Sequence, residues 1–159
     1  MIGRRPFSNR RIKRWMQGKL TLGAVLRLKT SDRDDLALQA YRRVEAADFD
    51  AARRLFELLG RLWPDAETSA RLGLGVCAQR QGNLTEAEAA YGDVLAVEPE
   101  NIYALANRAE VRLLNDRKEA AQADLTAALT ALGKGRSPAS LRRRVEALQS
   151  LIAVEARPG

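Results

Sequence analysis

Over residues 68–101 small and turn-forming residues fall at set intervals: Leu74-Gly75, Ala78, Gly82, Ala87, Tyr91, Leu95 and Pro99. The order is that of one helix, a turn and a second helix folded back on the first. Gly75 and Ala78 leave room for the second helix to approach, and Ala87 sits opposite them. Gly82 supplies the turn, Asn83 with Glu86 reads as an N-cap and capping box, and Pro99 stops the second helix. The arrangement recurs. Counting back from Pro64 puts Ala40, Phe49, Ala52, Phe56 and Leu62 in equivalent places, with one extra residue before the next unit. Counting on from Ile102 does the same for Ala109, Ala121, Leu125, Ala128 and Leu129. There Asp116 replaces the turn glycine and Gly133 the proline. Three such units, about the minimum for a stable stack, use up most of the 159 residues.

A repeat of about 34 residues with these positions is the tetratricopeptide repeat. One other motif competes for the same glycines, because Gly73, Gly75 and Ala78 match the G-x-G-x-x-A dinucleotide fingerprint. That loop must follow a strand. The preceding PDAETSARL has no strand-like alternation, so the glycines are read as helix-packing residues. The expected fold is all-α, a tetratricopeptide-repeat solenoid of three helix pairs near residues 33–62, 67–97 and 101–132, with a C-terminal capping helix. Residues 1–31 form a basic arm and an amphipathic helix, 32–134 the repeats, and 137–155 the cap. Ser137 caps this last helix and Pro138 opens it. Its apolar face (Leu141, Val145, Leu148, Leu151, Ile152) should cover the open end of the stack.

A solenoid of helix pairs lines a concave groove with its first helices. The groove positions fall on Ala37, Tyr41 and Val44, on Ser69, Leu72, Val76 and Gln79, and on Tyr103, Ala106, Glu110 and Leu113. This lining is more apolar than a solvated face, which marks a binding surface. The plainer alternative is that some of these residues tuck under the amino-terminal segment or the last helix.

Composition narrows the chemistry. No histidine is present, which removes Ser-His-Asp and Cys-His catalysis and His-containing zinc sites. The single cysteine, Cys77, cannot form an internal disulfide and is expected to be buried and inert, in a reducing compartment. Glu86 with Glu88, and Glu98 with Glu100, sit at helix ends, where carboxylates cap or are solvated. Arg142, Arg143 and Arg144 should form a solvated face. No catalytic residue, metal site or cofactor is expected. Charge is concentrated in residues 1–34, which hold ten Lys or Arg against Asp32 and Asp34. Clustered Arg with Phe7 and Trp15 could meet nucleic acid or an anionic membrane surface. No run approaches the roughly 20 apolar residues of a membrane span. The stretch from 20 to 26 is too short for a good signal peptide. A mitochondrial presequence fits better, with Ile12, Trp15, Met16, Leu22 and Leu26 on one rough helical face, and stays open.

The repeats and their flanks resemble the class II chaperones of bacterial type III secretion. The likeness is carried by GKLTLGAVL, YRRVEAADFDAARRLFELL, LGLGVCAQRQGNLTEAEAAY, RAEVRLLNDRKEAAQADLTAAL and a closing LRRRVEALQSLI, over residues 18–152. The specific elements are LGLG-x-C-x-Q, RAE-x-x-L and the single closing helix. The resemblance implies a non-enzymatic, cytoplasmic bacterial chaperone whose groove takes an extended apolar segment of a hydrophobic translocator. Tyr41 matches a gripping aromatic of that family, whereas Val44 stands where a second aromatic is expected. A homodimer through the N-terminal helix is a further implied partner. The basic arm has no expected counterpart, and the alternative function is a general repeat adaptor whose arm binds nucleic acid or membrane.

Overall fold

The structure, a computed structural model, describes residues 9–133 and 138–155. No strand occurs among them. The Ser137 cap anticipated for the last helix lies outside these residues, as do Arg4, Arg5 and Phe7 of the basic arm. The chain divides into two compact units at Gly73 and Leu74.

The first unit starts with two short helices, α1 (Asn9–Met16) and α2 (Leu22–Val25), where the sequence suggests one amphipathic helix. Gly18 at φ +68° breaks the run, and Thr21 restarts it by accepting a hydrogen bond from the Ala24 amide at 3.1 Å. The Arg11 guanidinium donates to the Ala24 carbonyl at 2.6 Å and ties α1 to α2. Gly23 lets α2 meet the end of the following helix pair, since a Cβ there would stand 2.7 Å from the Leu62 carbonyl oxygen.

That pair is α3 (Thr30–Glu45) and α4 (Phe49–Leu62), antiparallel and joined by a three-residue turn. Asp48 caps α4 by accepting from the Ala51 amide at 3.2 Å. Ala40 and Val44 on α3 close onto Ala52, Phe56, Leu59 and Leu62 on α4, all of them buried. Burying each Leu or Phe contributes about 1.5–3 kcal/mol, so this stripe carries the unit. A 3-10 turn at Pro64–Ala66 leads into α5 (Glu67–Arg80), whose first half completes the unit. Gly73 of α5 faces Phe56, and a Cβ at that glycine would collide with the ring.

The second unit holds the rest of α5, then α6 (Leu84–Val97), α7 (Ile102–Leu114), α8 (Lys118–Gly133) and α9 (Ala139–Glu155). Small residues let the helices approach: Ala78, Ala87, Ala104, Ala109, Ala121 and Ala128 are fully buried beside Tyr91, Leu125 and Val145. Asn101 caps α7, accepting from the Ala104 amide at 3.0 Å. The expected cap at Asn83 is absent. Asn83 stands at the N-cap position of α6, but its side chain makes no hydrogen bond to the first amides of the helix. The last helix runs from Ala139 and docks on α8 and α7 through Leu141 and Val145. Leu151, expected on that covering face, is half exposed because the contact is made by the first turns of α9.

The three turns inside the helix pairs share one conformation. Ala47, Gly82 and Asp116, at equivalent places in the repeats, all have positive φ, of 56°, 79° and 56°. A left-handed residue there closes the turn whatever its side chain. The fold is therefore all-α, with three helix pairs and a closing helix.

Candidate functional site

In the first unit the exposed side of α3 carries Tyr41, 38% exposed, and half-buried Ala37. The Tyr41 ring meets Phe56 of α4 edge to face, with centroids 5.1 Å apart and planes at 75°. This contact fixes the ring on a surface and leaves the rest of it accessible. Leu38, one turn before Tyr41, is 50% exposed and extends the apolar strip. The sequence reading missed it, although its i, i+3 relation to Tyr41 places both on one side of the helix. Val44 is not part of this surface. It continues the Ala40 stripe at i+4 and is buried against α4.

Ala37 and Ser69 come together at a cavity of about 220 Å³, with Leu59 and Arg33 also lining it. Arg33 donates to Asp34 at 3.1 Å and to Asp65 at 2.8 Å. The hydrogen bond to Asp34, reinforced by Asp65, raises the pKa of the guanidinium further above its usual value. Leu72 is half-buried on α5.

In the second unit Val76 and Gln79 of α5 are half-buried, as are Glu110 and Leu113 of α7, and Tyr103 is 48% exposed. Ala106 is fully buried, which removes it from the binding face. The reason is that α7 packs against α6, α8 and α9 together. Most of its circumference is covered, and Tyr103 and Glu110 fall on the remaining strip. Leu114, exposed at i+4 from Glu110, continues that strip and was not anticipated.

The polar groups here form a connected chain. The fully buried Tyr91 donates its hydroxyl to Gln79 Oε1 at 2.8 Å, and Gln79 Nε2 donates to Glu110 Oε2 at 2.9 Å. Arg144 of α9 donates to the same Glu110 oxygen at 2.6 Å and to Asn107 Oδ1 at 2.9 Å. Arg144 is thus a bonded part of this surface although its side chain stays partly in solvent, while Arg142 and Arg143 are exposed as expected. The Arg144 guanidinium has the reach to bridge from the closing helix back to α7. Arg142 likewise donates to the Leu132 carbonyl at 3.1 Å.

A second network lies among α6, α7 and α8. Asp124, 4% exposed, accepts from Nε and Nη2 of Arg108, at 2.9 and 2.7 Å, and from Nη1 of Arg112 at 2.9 Å. Arg112 Nε donates to Glu88 at 2.9 Å, and Arg117 also pairs with Glu88. Glu88 therefore joins α6 to the next helix pair instead of being a simple helix-end charge. Glu98 accepts from Asn101 at 2.7 Å. Cys77 is fully buried among the packing residues. Among the described residues no group of three or more acids and cysteines is placed to hold a metal ion, and no helix is long and apolar enough to cross a membrane.

No protein-family model matches the chain, and comparison with curated proteins finds no match in sequence. Solved structures do share its fold. A type III secretion complex from Aeromonas hydrophila superposes with a TM-score of 0.71 at 22% identity, covering 91% of this chain and 95% of the other. The Yersinia enterocolitica type III secretion chaperone SycD, solved with a peptide of the translocator YopD, gives 0.69 at 19% identity, over 81% and 98%. PcrH, solved with the chaperone binding region of PopB, gives 0.65 at 20% identity, over 76% and 97%. In fold, then, the chain is similar to translocator chaperones of type III secretion.

Proposed function

We propose that the chain is a non-enzymatic chaperone that holds an extended apolar segment of a secreted translocator protein on its first helices, α3, α5 and α7. The carrying observation is an exposed aromatic on two of these first helices, Tyr41 on α3 and Tyr103 on α7, accompanied by exposed Leu38 and half-buried Leu72 and Val76. Aromatic side chains held on a surface by packing are efficient anchors, because little freedom remains to be lost on binding. The shared fold with SycD and PcrH, both solved with a piece of a translocator, supports a translocator segment as the client.

The test is co-expression with a candidate translocator followed by co-purification. A Tyr41→Ala, Tyr103→Ala variant should lose the client, each truncated anchor costing about 2 kcal/mol, or about thirtyfold in affinity. Because Tyr41 also contacts Phe56, the variant's melting curve must accompany the result. Glu57→Lys and Glu119→Lys, at exposed positions on second helices, should leave binding unchanged. Full retention of the client by a folded double variant would refute the assignment.

A further inference from the structure

Ten large apolar side chains stand exposed among the described residues, and three of them, Trp15, Met16 and Leu26, belong to the segment 10–29. That segment holds seven Lys or Arg and no acid. The combination is unusual, since exposed apolar groups in the repeats lie amid charges of both signs. At 100° per residue, Ile12, Trp15 and Met16 share one side of α1, and Arg10, Lys13 and Arg14 the other. Arg11 lies between these faces, and its bond to the Ala24 carbonyl anchors the helix on α2. Arg10, Lys13, Arg14, Lys19 and Arg27 have no acidic partner among the described residues. Beside them an open cavity of about 570 Å³ is lined by Trp15, Leu20, Leu22 and Pro64 together with Lys19 and Arg61.

We propose that residues 10–29 form a docking surface for an anionic lipid bilayer. A nucleic acid would answer the bases but leave Met16, 76% exposed, and Leu26, 40% exposed, in water. A bilayer interface answers both at once. Its acyl boundary accepts shallow apolar side chains such as Trp15 and Met16, and its headgroups accept the Lys and Arg termini that reach past them. Neither attraction requires a partner of complementary shape. With no acid before Asp32, nothing in the segment repels the surface. One short helix gives weak, reversible docking that salt can release. The assignment rests on the first unit alone and does not depend on what the repeats bind.

Flotation of the full chain with phosphatidylcholine vesicles, with and without phosphatidylserine at about one lipid in four, tests it. The wild type should float with the anionic vesicles, remain behind with the neutral ones, and be released as salt is raised. Lys13→Glu with Arg14→Glu should lower binding by about tenfold or more, and so should Trp15→Ser with Met16→Ser. Lys19→Glu, outside α1, gives a milder reduction and serves if either double variant melts early. Tyr41→Ala with Tyr103→Ala should leave flotation unchanged, which separates this result from the chaperone assignment. Equal binding to neutral vesicles, or none to anionic ones, would overturn the proposal. So would binding to a single-stranded oligonucleotide that competes with vesicles and survives loss of Trp15 and Met16. Finally, self-association that the apolar variant abolishes while vesicle binding persists would assign the apolar face to a second copy.

Discussion

A Cβ on Gly75 would stand 2.5 Å from Cε1 of Tyr91. The ring cannot easily retreat, because it is fully buried and its hydroxyl donates to Gln79. Gly75→Ala should therefore destabilise the protein by about 1–3 kcal/mol, outweighing the about 1 kcal/mol by which alanine improves a helix over glycine. Thermal melts would show a lowered midpoint. A raised midpoint would mean that Tyr91 moves aside.

The left-handed turns differ in what their residues tolerate. Alanine in this conformation costs about 1–2 kcal/mol, whereas Asp is better accommodated. Ala47→Gly, at an exposed position, should raise stability by about 0.5–1 kcal/mol after the extra chain entropy of glycine is counted. Asp116→Gly should gain less, and Gly82→Ala should lose. The ordering of the three midpoints is the measurement, and equal gains at 47 and 116 would contradict it.

Asp124 is the buried acid of the α7–α8 pair, and its removal leaves the largely covered Arg108 without its carboxylate partner and Arg112 with Glu88 alone. Asp124→Ala should cost about 3–5 kcal/mol. Denaturant unfolding would read this as a lower midpoint at similar slope.

Arg144 and Glu110 make an ion pair of comparable geometry, but both side chains are more than one third exposed. Solvent screens such a pair, so Arg144→Ala should cost only about 0–1 kcal/mol. The contrast with Asp124 separates burial from distance as the source of stability. A loss at Arg144 as large as that at Asp124 would show that the closing helix hangs on the Arg144 bonds to Glu110 and Asn107.

The repeat frame was legible because its positions are steric. A glycine under an aromatic ring, a left-handed turn and alanines at close helix contacts leave a spacing that survives in sequence. Gly73 under Phe56 repeats the relation of Gly75 to Tyr91, which explains why the dinucleotide-like motif arose here without a strand. The candidate surface was less legible. Exposed and buried positions on a first helix lie only about 100° apart, so Val44 and Ala106 fell on the wrong side of that line. Leu38 and Leu114 fell on the other side of it. Long side chains left no periodic trace at all. Arg144 meets Glu110 across 34 residues and Arg112 meets Glu88 across 24, and no local pattern announces such partners.

In the second unit the hydrogen-bonded chain from Tyr91 to Asn107 engages Gln79, Glu110, Arg144 and Asn107 with one another. A ligand lying on α7 there must be held by water release and dispersion over Tyr103, Val76 and Leu113. Calorimetry would record such an association as a negative heat-capacity change that grows with the apolar area covered. Ionic strength would barely alter it. Contacts of that kind discriminate by volume more than by identity, so a client could exchange one aliphatic residue for another over evolutionary time and still be retained.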